Sequence, residues 1–282
     1  VEKAKRVVWR LLAASVCVMA VSQAVHADSL DEQRNRYAQI KQAWDNKQMD
    51  TVQALMPTLK DYPLYPYLEY RQITDDLMNQ PTVTVNNFIQ ANPTLPPARN
   101  LQSRFVNELA RREDWRGLLA FSPEKPNTTE AQCNYYYAKW ATGQQEEAWA
   151  GAKELWLTGK NQPNACDSLF GAWRASGRQD PLAYLERIRL AMKAGNTRLV
   201  TTLAGQMPSD YQTISTAVIG LANDPNSVLT FARSTGATDF TRQMAAVAFA
   251  SVARDDVENA RLMIPQLVQA QQLNEEQTQE LR

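Results

Sequence analysis

The chain has 282 residues, of which 44% are hydrophobic, and its 30 lysines and arginines balance 30 aspartates and glutamates. These values are typical of a globular protein, and zero net charge without a large basic block argues against nucleic acid as a partner. The length exceeds what one compact core usually spans, which predicts several domains or an elongated stack.

The first predicted element is an export signal over residues 1–27. Four basic residues precede an apolar run at 11–21, which is too short to span a bilayer. Small residues at Val25 and Ala27 predict cleavage between Ala27 and Asp28. Cys17 follows Val16 inside the apolar run and does not fit a lipoprotein signal, so no membrane anchor is expected. The mature part, residues 28–282, is therefore predicted to be soluble and periplasmic.

The only histidine of the chain, His26, lies in this predicted leader. A mature protein without histidine cannot form a Ser-His-Asp triad, a Cys-His pair or a histidine-ligated zinc site. The sequence also has no glycine-rich phosphate loop. We therefore expect neither a cofactor nor a metal site.

Two cysteines remain after cleavage, Cys133 and Cys166. An even number of cysteines in an oxidising compartment favours a disulfide. The alternative is a redox-active pair, but such pairs usually have the spacing C-x-x-C.

Helical patterns fill the mature chain. Residues 28–48 combine an Asp and Ser cap with apolar residues at helical spacing, and residues 49–59 repeat the pattern. Thr82 to Val85 alternates like a strand, but no hairpin turn follows, so we interpret it as the first turn of a helix. Pro265 is expected to kink its helix. Further helices are predicted over 97–112, 115–121, 129–141, 146–157, 166–175, 181–194, 197–204, 211–221, 227–234, 238–254 and 257–271.

Short turns join these predicted helices into hairpins, each too small to enclose a core alone. Such hairpins must bury their apolar faces on their neighbours, which predicts an all-α fold of the α-solenoid class with irregular repeats. The hairpin around Gly143 has the small residues of a tetratricopeptide-type pair. Asn274 opens a further helix that the chain does not complete, so residues 28–282 are expected to be one superhelical domain truncated at its C-terminal end.

Two motifs that could carry catalysis are weak. Ser122 and Lys125 match the S-x-x-K motif of penicillin-binding enzymes, but Pro126 follows directly and the companion motifs are absent. Adjacent acidic pairs such as Glu146 and Glu147 point about 100° apart on a helix. They are therefore interpreted as solvated faces rather than as a glycosidase pair.

Two surface features each allow two interpretations, a structural one and ligand binding. Four tyrosines, at positions 62, 65, 67 and 70, could stack on sugar rings or pack a hairpin. A charged stripe formed by Arg104, Glu108, Arg111 and Arg112 could contact an anionic polymer or form a surface ladder of ion pairs.

Three stretches carry a resemblance to a known family. They are Y-P-L-Y-P-Y-L-E-Y-R at 62–71, N-P-T-L-P-P-A-R at 92–99 and F-V-N-E-L-A-R-R-E-D-W at 105–115. They resemble the U-shaped helical domain with which soluble lytic transglycosylases of Gram-negative bacteria begin. The similarity extends over essentially the whole chain, including the leader and both mature cysteines.

This resemblance implies a periplasmic enzyme that cleaves peptidoglycan between N-acetylmuramic acid and N-acetylglucosamine, leaving 1,6-anhydromuramoyl ends. It implies a right-handed α-superhelix that closes, with a linker domain, into a ring around glycan strands, and a disulfide between Cys133 and Cys166. The expected partners are glycan strands and the protein's own linker and catalytic domains.

The motifs of the catalytic domain, a Glu-Ser pair with G-L-M-Q-I-M-P and A-Y-N-A-G, do not occur here. No catalytic residue is therefore assigned, and the chain is expected to position glycan without cutting it. The alternative function is a tetratricopeptide-like periplasmic adaptor for a protein partner.

Overall fold

The computed structural model describes residues 28–282, so the predicted leader and Ala27 lie outside the described residues. In the described part the chain forms α-helices and 3-10 helices and no strand. The α-helices are α1 Leu30–Asp45, α2 Met49–Leu55, α3 Tyr65–Asp75, α4 Thr82–Ala91, α5 Pro96–Arg111, α6 Trp115–Phe121, α7 Thr129–Ala141, α8 Gln145–Trp156, α9 Ala165–Ala175, α10 Pro181–Lys193, α11 Thr197–Gly205, α12 Gln212–Asn223, α13 Val228–Ser234, α14 Asp239–Asp255, α15 Val257–Gln271 and α16 Glu275–Glu280. The 3-10 helices are Met56–Leu59, Leu77–Asn79, Ser209–Tyr211 and Pro225–Ser227.

Local sequence signals set many of the helix ends. Ser29 caps α1 in a reciprocal box with Glu32, because each side chain bonds the backbone N–H of the other residue. Glycines with positive φ angles follow α7, α9 and α10, at Gly143 (90°), Gly177 (71°) and Gly195 (70°). Such angles are unstrained only for glycine, so the chain can reverse there and form a hairpin. The predicted all-α fold of irregular helical hairpins is confirmed.

The chain divides into two compact units, of which the first ends at Asp75. Its core consists of buried side chains from α1, α2, the following 3-10 helix and α3. Ile40 and Leu59 are fully buried in this core. The indole N–H of Trp44 donates to a carboxylate oxygen of Asp75 at 2.6 Å, which fastens the end of α3 to α1. This unit therefore has its own core and its own polar link.

The second unit comprises Asp76–Arg282. One cluster of buried side chains runs through it from α7 to α15. Trp156 at the end of α8 is 2% exposed, and its ring lies 5.0 Å from that of Phe170 and 4.9 Å from that of Tyr184. Its indole N–H donates to the carbonyl of Ala183 at 2.9 Å, so one side chain joins α8, α9 and α10.

A polar side chain links the last long helices of this unit. Gln271 at the end of α15 is fully buried. Its amide group donates to the carbonyl of Ala232 at 2.8 Å and accepts from the hydroxyl of Thr241 at 2.8 Å. These bonds satisfy a buried amide and join α13, α14 and α15. Helix α15 continues through Pro265. In the part of the chain described here, no helix combines the length and the apolar character that crossing a bilayer requires.

Helices α7 and α8 approach closely at Gly151. A Cβ atom at this position would lie 2.3 Å from the ring of Tyr136, whereas a Cβ at Gly220 in α12 would meet nothing within 4 Å. Gly151→Ala is therefore expected to lower the free energy of unfolding by about 1–3 kcal/mol through overpacking. Gly220→Ala is the matched control and should raise it by about 0.5–1 kcal/mol, because alanine is the better helix former. Urea denaturation followed by circular dichroism measures both, and equal effects of the same sign would contradict the close packing.

Candidate functional site

Cys133 and Cys166 form a disulfide between α7 and α9, with Cα atoms 4.9 Å apart. Both residues are fully buried. The bond therefore fixes the distance between helices that belong to successive hairpins. Asp28, on the described side of the predicted cleavage site, contacts Arg36 through its carboxylate.

A groove of about 540 Å³ lies directly beside this disulfide, with walls from α5, α6, α7 and α9. Asn134 and Tyr137 follow Cys133 on α7, and Ala165 and Ser168 flank Cys166 on α9. The disulfide therefore holds two walls of the groove together. The lining residues are Arg104, Asn107, Glu108, Ala110, Arg111, Glu113, Trp115, Glu130, Asn134, Tyr137, Ala165 and Ser168.

Two amides that line the groove are hydrogen-bonded to each other. The side-chain N–H of Asn134 on α7 donates to the side-chain oxygen of Asn107 on α5 at 2.9 Å. Each amide keeps further donor or acceptor capacity, because a carboxamide offers two N–H groups and two lone pairs. The pair can therefore bond hydroxyl groups of a ligand while staying fixed in orientation.

The charged stripe predicted on α5 forms an ion-pair cluster at the edge of this groove. Glu108 accepts bonds from Arg111 (2.6 Å) and Arg112 (3.0 Å), and its side chain is only 11% exposed. The bond from Arg111 is the main cause that lowers the pKa of Glu108; burial opposes the shift, and the bond from Arg112 supports it. Glu108 is thus held as a carboxylate and is unsuited to donate a proton. The ion-pair interpretation of this stripe is confirmed for these three residues.

Two aromatic rings also line the groove. The rings of Trp115 on α6 and Tyr137 on α7 lie 4.9 Å apart with an interplanar angle of 63°. The ring of Tyr137 also lies 5.0 Å from that of Trp140, and both Trp115 and Tyr137 are only half-buried, so each keeps part of its ring exposed. Aromatic faces beside fixed amides suit the C–H faces and hydroxyl groups of a sugar. The arrangement is suited to binding and orienting a ligand rather than to transferring protons.

The S-x-x-K motif has no catalytic geometry. Ser122 is the C-cap residue that follows α6, is fully buried, and donates its hydroxyl hydrogen to the carbonyl of Glu124 at 2.8 Å. Lys125 pairs with Glu154 at 2.8 Å. The serine and lysine therefore do not lie on consecutive turns of one helix. Among residues 28–282, no group of three or more His, Cys, Asp or Glu side chains is placed to hold a metal ion.

The tyrosine cluster belongs mainly to the core of the first unit. Tyr62 is buried, with its ring 5.5 Å from that of Tyr37, and Tyr65 packs against the same core. Tyr67 is 38% exposed. Packing therefore accounts for Tyr62 and Tyr65, while Tyr67 keeps a free surface.

The groove was not foreseen from the sequence. Trp115, Asn107 and Asn134 come from three different helices, and their positions depend on how these helices pack. The sequence signals nearest to it were the charged stripe, of which Arg104, Glu108 and Arg111 line the groove, and the mature cysteines, since Cys133 immediately precedes Asn134.

No family model matches the chain. The soluble lytic murein transglycosylase of Escherichia coli K12 is 83% identical over the whole chain, which spans only 44% of that relative. The crystal structure of the 70 kDa soluble lytic transglycosylase of Escherichia coli matches 90% of the chain, with 85% identity and a TM-score of 0.87, and the chain covers 41% of it.

A 70 kDa soluble lytic transglycosylase has also been solved in complex with bulgecin A, and it matches the chain with 85% identity and a TM-score of 0.87. These matches confirm the superhelical fold class and the resemblance seen in the sequence. Along its entire length, the chain is a homologue of part of the soluble lytic murein transglycosylases.

Proposed function

We propose that this chain is the superhelical part of a periplasmic peptidoglycan lytic transglycosylase. In this role it supports the linker and catalytic domains of the enzyme and holds glycan strands, while cleavage of the bond between N-acetylmuramic acid and N-acetylglucosamine takes place elsewhere. The observation that carries the proposal is 83% identity along the whole chain with a relative that is more than twice as long.

The groove beside the disulfide supports glycan binding. Trp115 and Tyr137 offer aromatic surface, and Asn107 and Asn134 offer hydrogen-bonding groups that are already oriented. Cleavage of a glycosidic bond needs an acid that is still protonated near neutral pH. Glu108 does not meet this need because its pKa is lowered by its arginines.

The first test is export and activity. The chain, expressed with its leader in a Gram-negative host, should be recovered from the periplasm with Asp28 as its first residue, as shown by mass spectrometry. The purified product should sediment with murein sacculi and release no anhydromuropeptides. Release of such products would contradict the absence of a catalytic site, and failure to sediment would contradict glycan binding.

The second test locates the binding surface. Trp115→Ala should weaken sedimentation with sacculi at least tenfold, equivalent to about 1.4 kcal/mol of binding free energy, because it removes an aromatic face from the groove. Tyr67→Ala is the matched control, since Tyr67 is exposed in the other aromatic cluster, and it should bind as the unmodified chain does. Circular dichroism checks that both variants are folded. Weaker sedimentation of Tyr67→Ala together with unchanged sedimentation of Trp115→Ala would instead place the glycan site at the tyrosine cluster.

A periplasmic adaptor for a protein partner is the second candidate. The hairpin of α7 and α8 supports it, because Ala138, Ala148 and Ala152 are fully buried where these helices meet, as in tetratricopeptide pairs. An adaptor should sediment with sacculi only when periplasmic extract is added. The proposed glycan-binding chain should sediment without the extract.

A further inference from the structure

A second cavity, of about 500 Å³, lies at the junction of α8, α9, α10 and α11. Three arginines line it, namely Arg174, Arg187 and Arg198, against one acidic residue, Asp167. The lining therefore carries an excess of two positive charges in a protein with a formal net charge of zero. This cavity shares no lining residue with the groove beside the disulfide.

Arg187 is the unusual member of this set, because it is only 4% exposed. Its guanidinium lies 4.2 Å from the ring centre of Trp156 and 5.5 Å from that of Phe170. Its Nε atom is buried without a hydrogen-bond partner. No carboxylate of the described residues lies within ion-pair distance of it. A buried charge without a partner is costly, so such groups are rare unless they have a role.

Burial lowers the pKa of Arg187 to about 10, and the nearby Tyr184 and Asp167 counter this shift only in part. The guanidinium nevertheless remains charged at neutral pH. Arg189, two residues further along α10, shows the usual arrangement, since it pairs with Glu186 at 2.6 Å. The two other arginines of the cavity, Arg174 and Arg198, are exposed and form no ion pair among the described residues. The three arginines of the cavity thus have no ion-pair partner among the described residues.

We propose that this cavity binds the carboxylate of a short peptide, with Arg187 as the principal contact. A guanidinium stacked on an indole presents its planar N–H edge, which matches the two oxygens of a carboxylate. The volume falls in the range of small-molecule sites and exceeds what a single inorganic ion would fill. Asp167 on the same lining disfavours multiply charged anions such as phosphate. Peptide stems of peptidoglycan would supply such carboxylates, an extension that rests on the proposed function.

The test uses the purified chain, labelled with ¹⁵N-arginine, and two probes that differ only at the carboxylate: N-acetyl-alanyl-alanine and its C-terminal amide. The acid should shift the Nε–H signal of Arg187 in a saturable manner, and the amide should not. The signal is assigned by its loss in Arg187→Lys. Equal shifts with acid and amide, or tighter binding of inorganic phosphate than of the peptide acid, would overturn the proposal.

Variants separate binding from folding. Arg187→Met keeps an unbranched side chain against Trp156 and removes the unpaired charge, so it should lower affinity for the peptide acid at least tenfold while raising the melting temperature. Arg189→Met is the matched control and should leave affinity unchanged. Unaltered affinity in Arg187→Met would overturn the site. Because the peptide titration involves no sacculi, a chain that binds the peptide but not sacculi would contradict only the proposed function, and the reverse would contradict only this inference.

Discussion

Replacing Cys133 and Cys166 together by alanine is expected to lower the free energy of unfolding by about 3 to 4 kcal/mol. The disulfide closes a loop of 33 residues, and removing it returns conformational freedom to the unfolded chain. For a protein of this size the melting temperature should fall by about 6 to 16 °C. Urea denaturation and thermal melts monitored by circular dichroism measure the effect.

A reducing agent supplies the control for the disulfide prediction. It should bring the unmodified chain close to the stability of the double variant and leave the double variant itself unchanged. Equal stability of the two proteins under oxidising conditions would contradict the prediction. Because the bond holds Asn134 and Ser168 on opposite walls of the groove, the double variant should also lose affinity for sacculi, even at temperatures where it is folded.

Trp156→Ala is expected to cause the other large loss of stability, about 3 to 5 kcal/mol. The substitution leaves a cavity between α8, α9 and α10, where this ring contacts Phe170, Tyr184 and the guanidinium of Arg187. It also removes the side-chain hydrogen bond to the carbonyl of Ala183. Urea denaturation measures the loss, and near-ultraviolet circular dichroism reports the loss of fixed aromatic packing.

Trp156→Phe separates the loss of ring contacts from the loss of the hydrogen bond to Ala183. Phenylalanine keeps most of the ring contacts but cannot donate to Ala183, so a smaller loss of about 1–3 kcal/mol is expected. Leu262→Ala is a control for truncation of a large side chain, because Leu262 is 73% exposed, and it should change stability by less than about 0.5 kcal/mol. A cost for Trp156→Ala no greater than that for Leu262→Ala would contradict the role of this ring in packing α8, α9 and α10 together.

Local chemistry explains why most helices could be predicted from the sequence. The Ser29 cap, the glycine at 143 and the proline at the start of α10 act on their immediate neighbours, so their effect does not depend on the rest of the fold. Thr82 to Val85 is the instructive case. Its alternation resembles a strand, but without a hairpin partner the segment forms the first turn of α4, as predicted.

The groove and the arginine cavity could not be predicted in the same way, because both are assembled from several helices. The spacing of the apolar residues in α10 does indicate part of the arginine cavity. Tyr184, Ile188 and Ala191 are buried at helical intervals, and Arg187 falls on the same face, whereas Arg189 lies outside it. An arginine in phase with an apolar face is therefore a signal worth testing in a sequence. Its lack of an acidic partner can be recognised only in the structure.

The ion-pair cluster around Glu108 makes the edge of the groove sensitive to acid. The pKa of Glu108 is lowered in the folded protein, so its stabilising effect is complete at neutral pH and is lost as the pH falls from the ordinary glutamate range through the lower pKa of the folded state. Arg112 also donates to the carbonyls of Leu77 (2.8 Å) and Gln80 (3.3 Å). Protonation of Glu108 would remove one of the partners that hold the guanidinium of Arg112, whose other bonds join the 3-10 turn at 77–79 to the end of α5. Acidification should therefore loosen the edge of the groove formed by α5 before it disturbs the walls from α7 and α9, which the disulfide holds together.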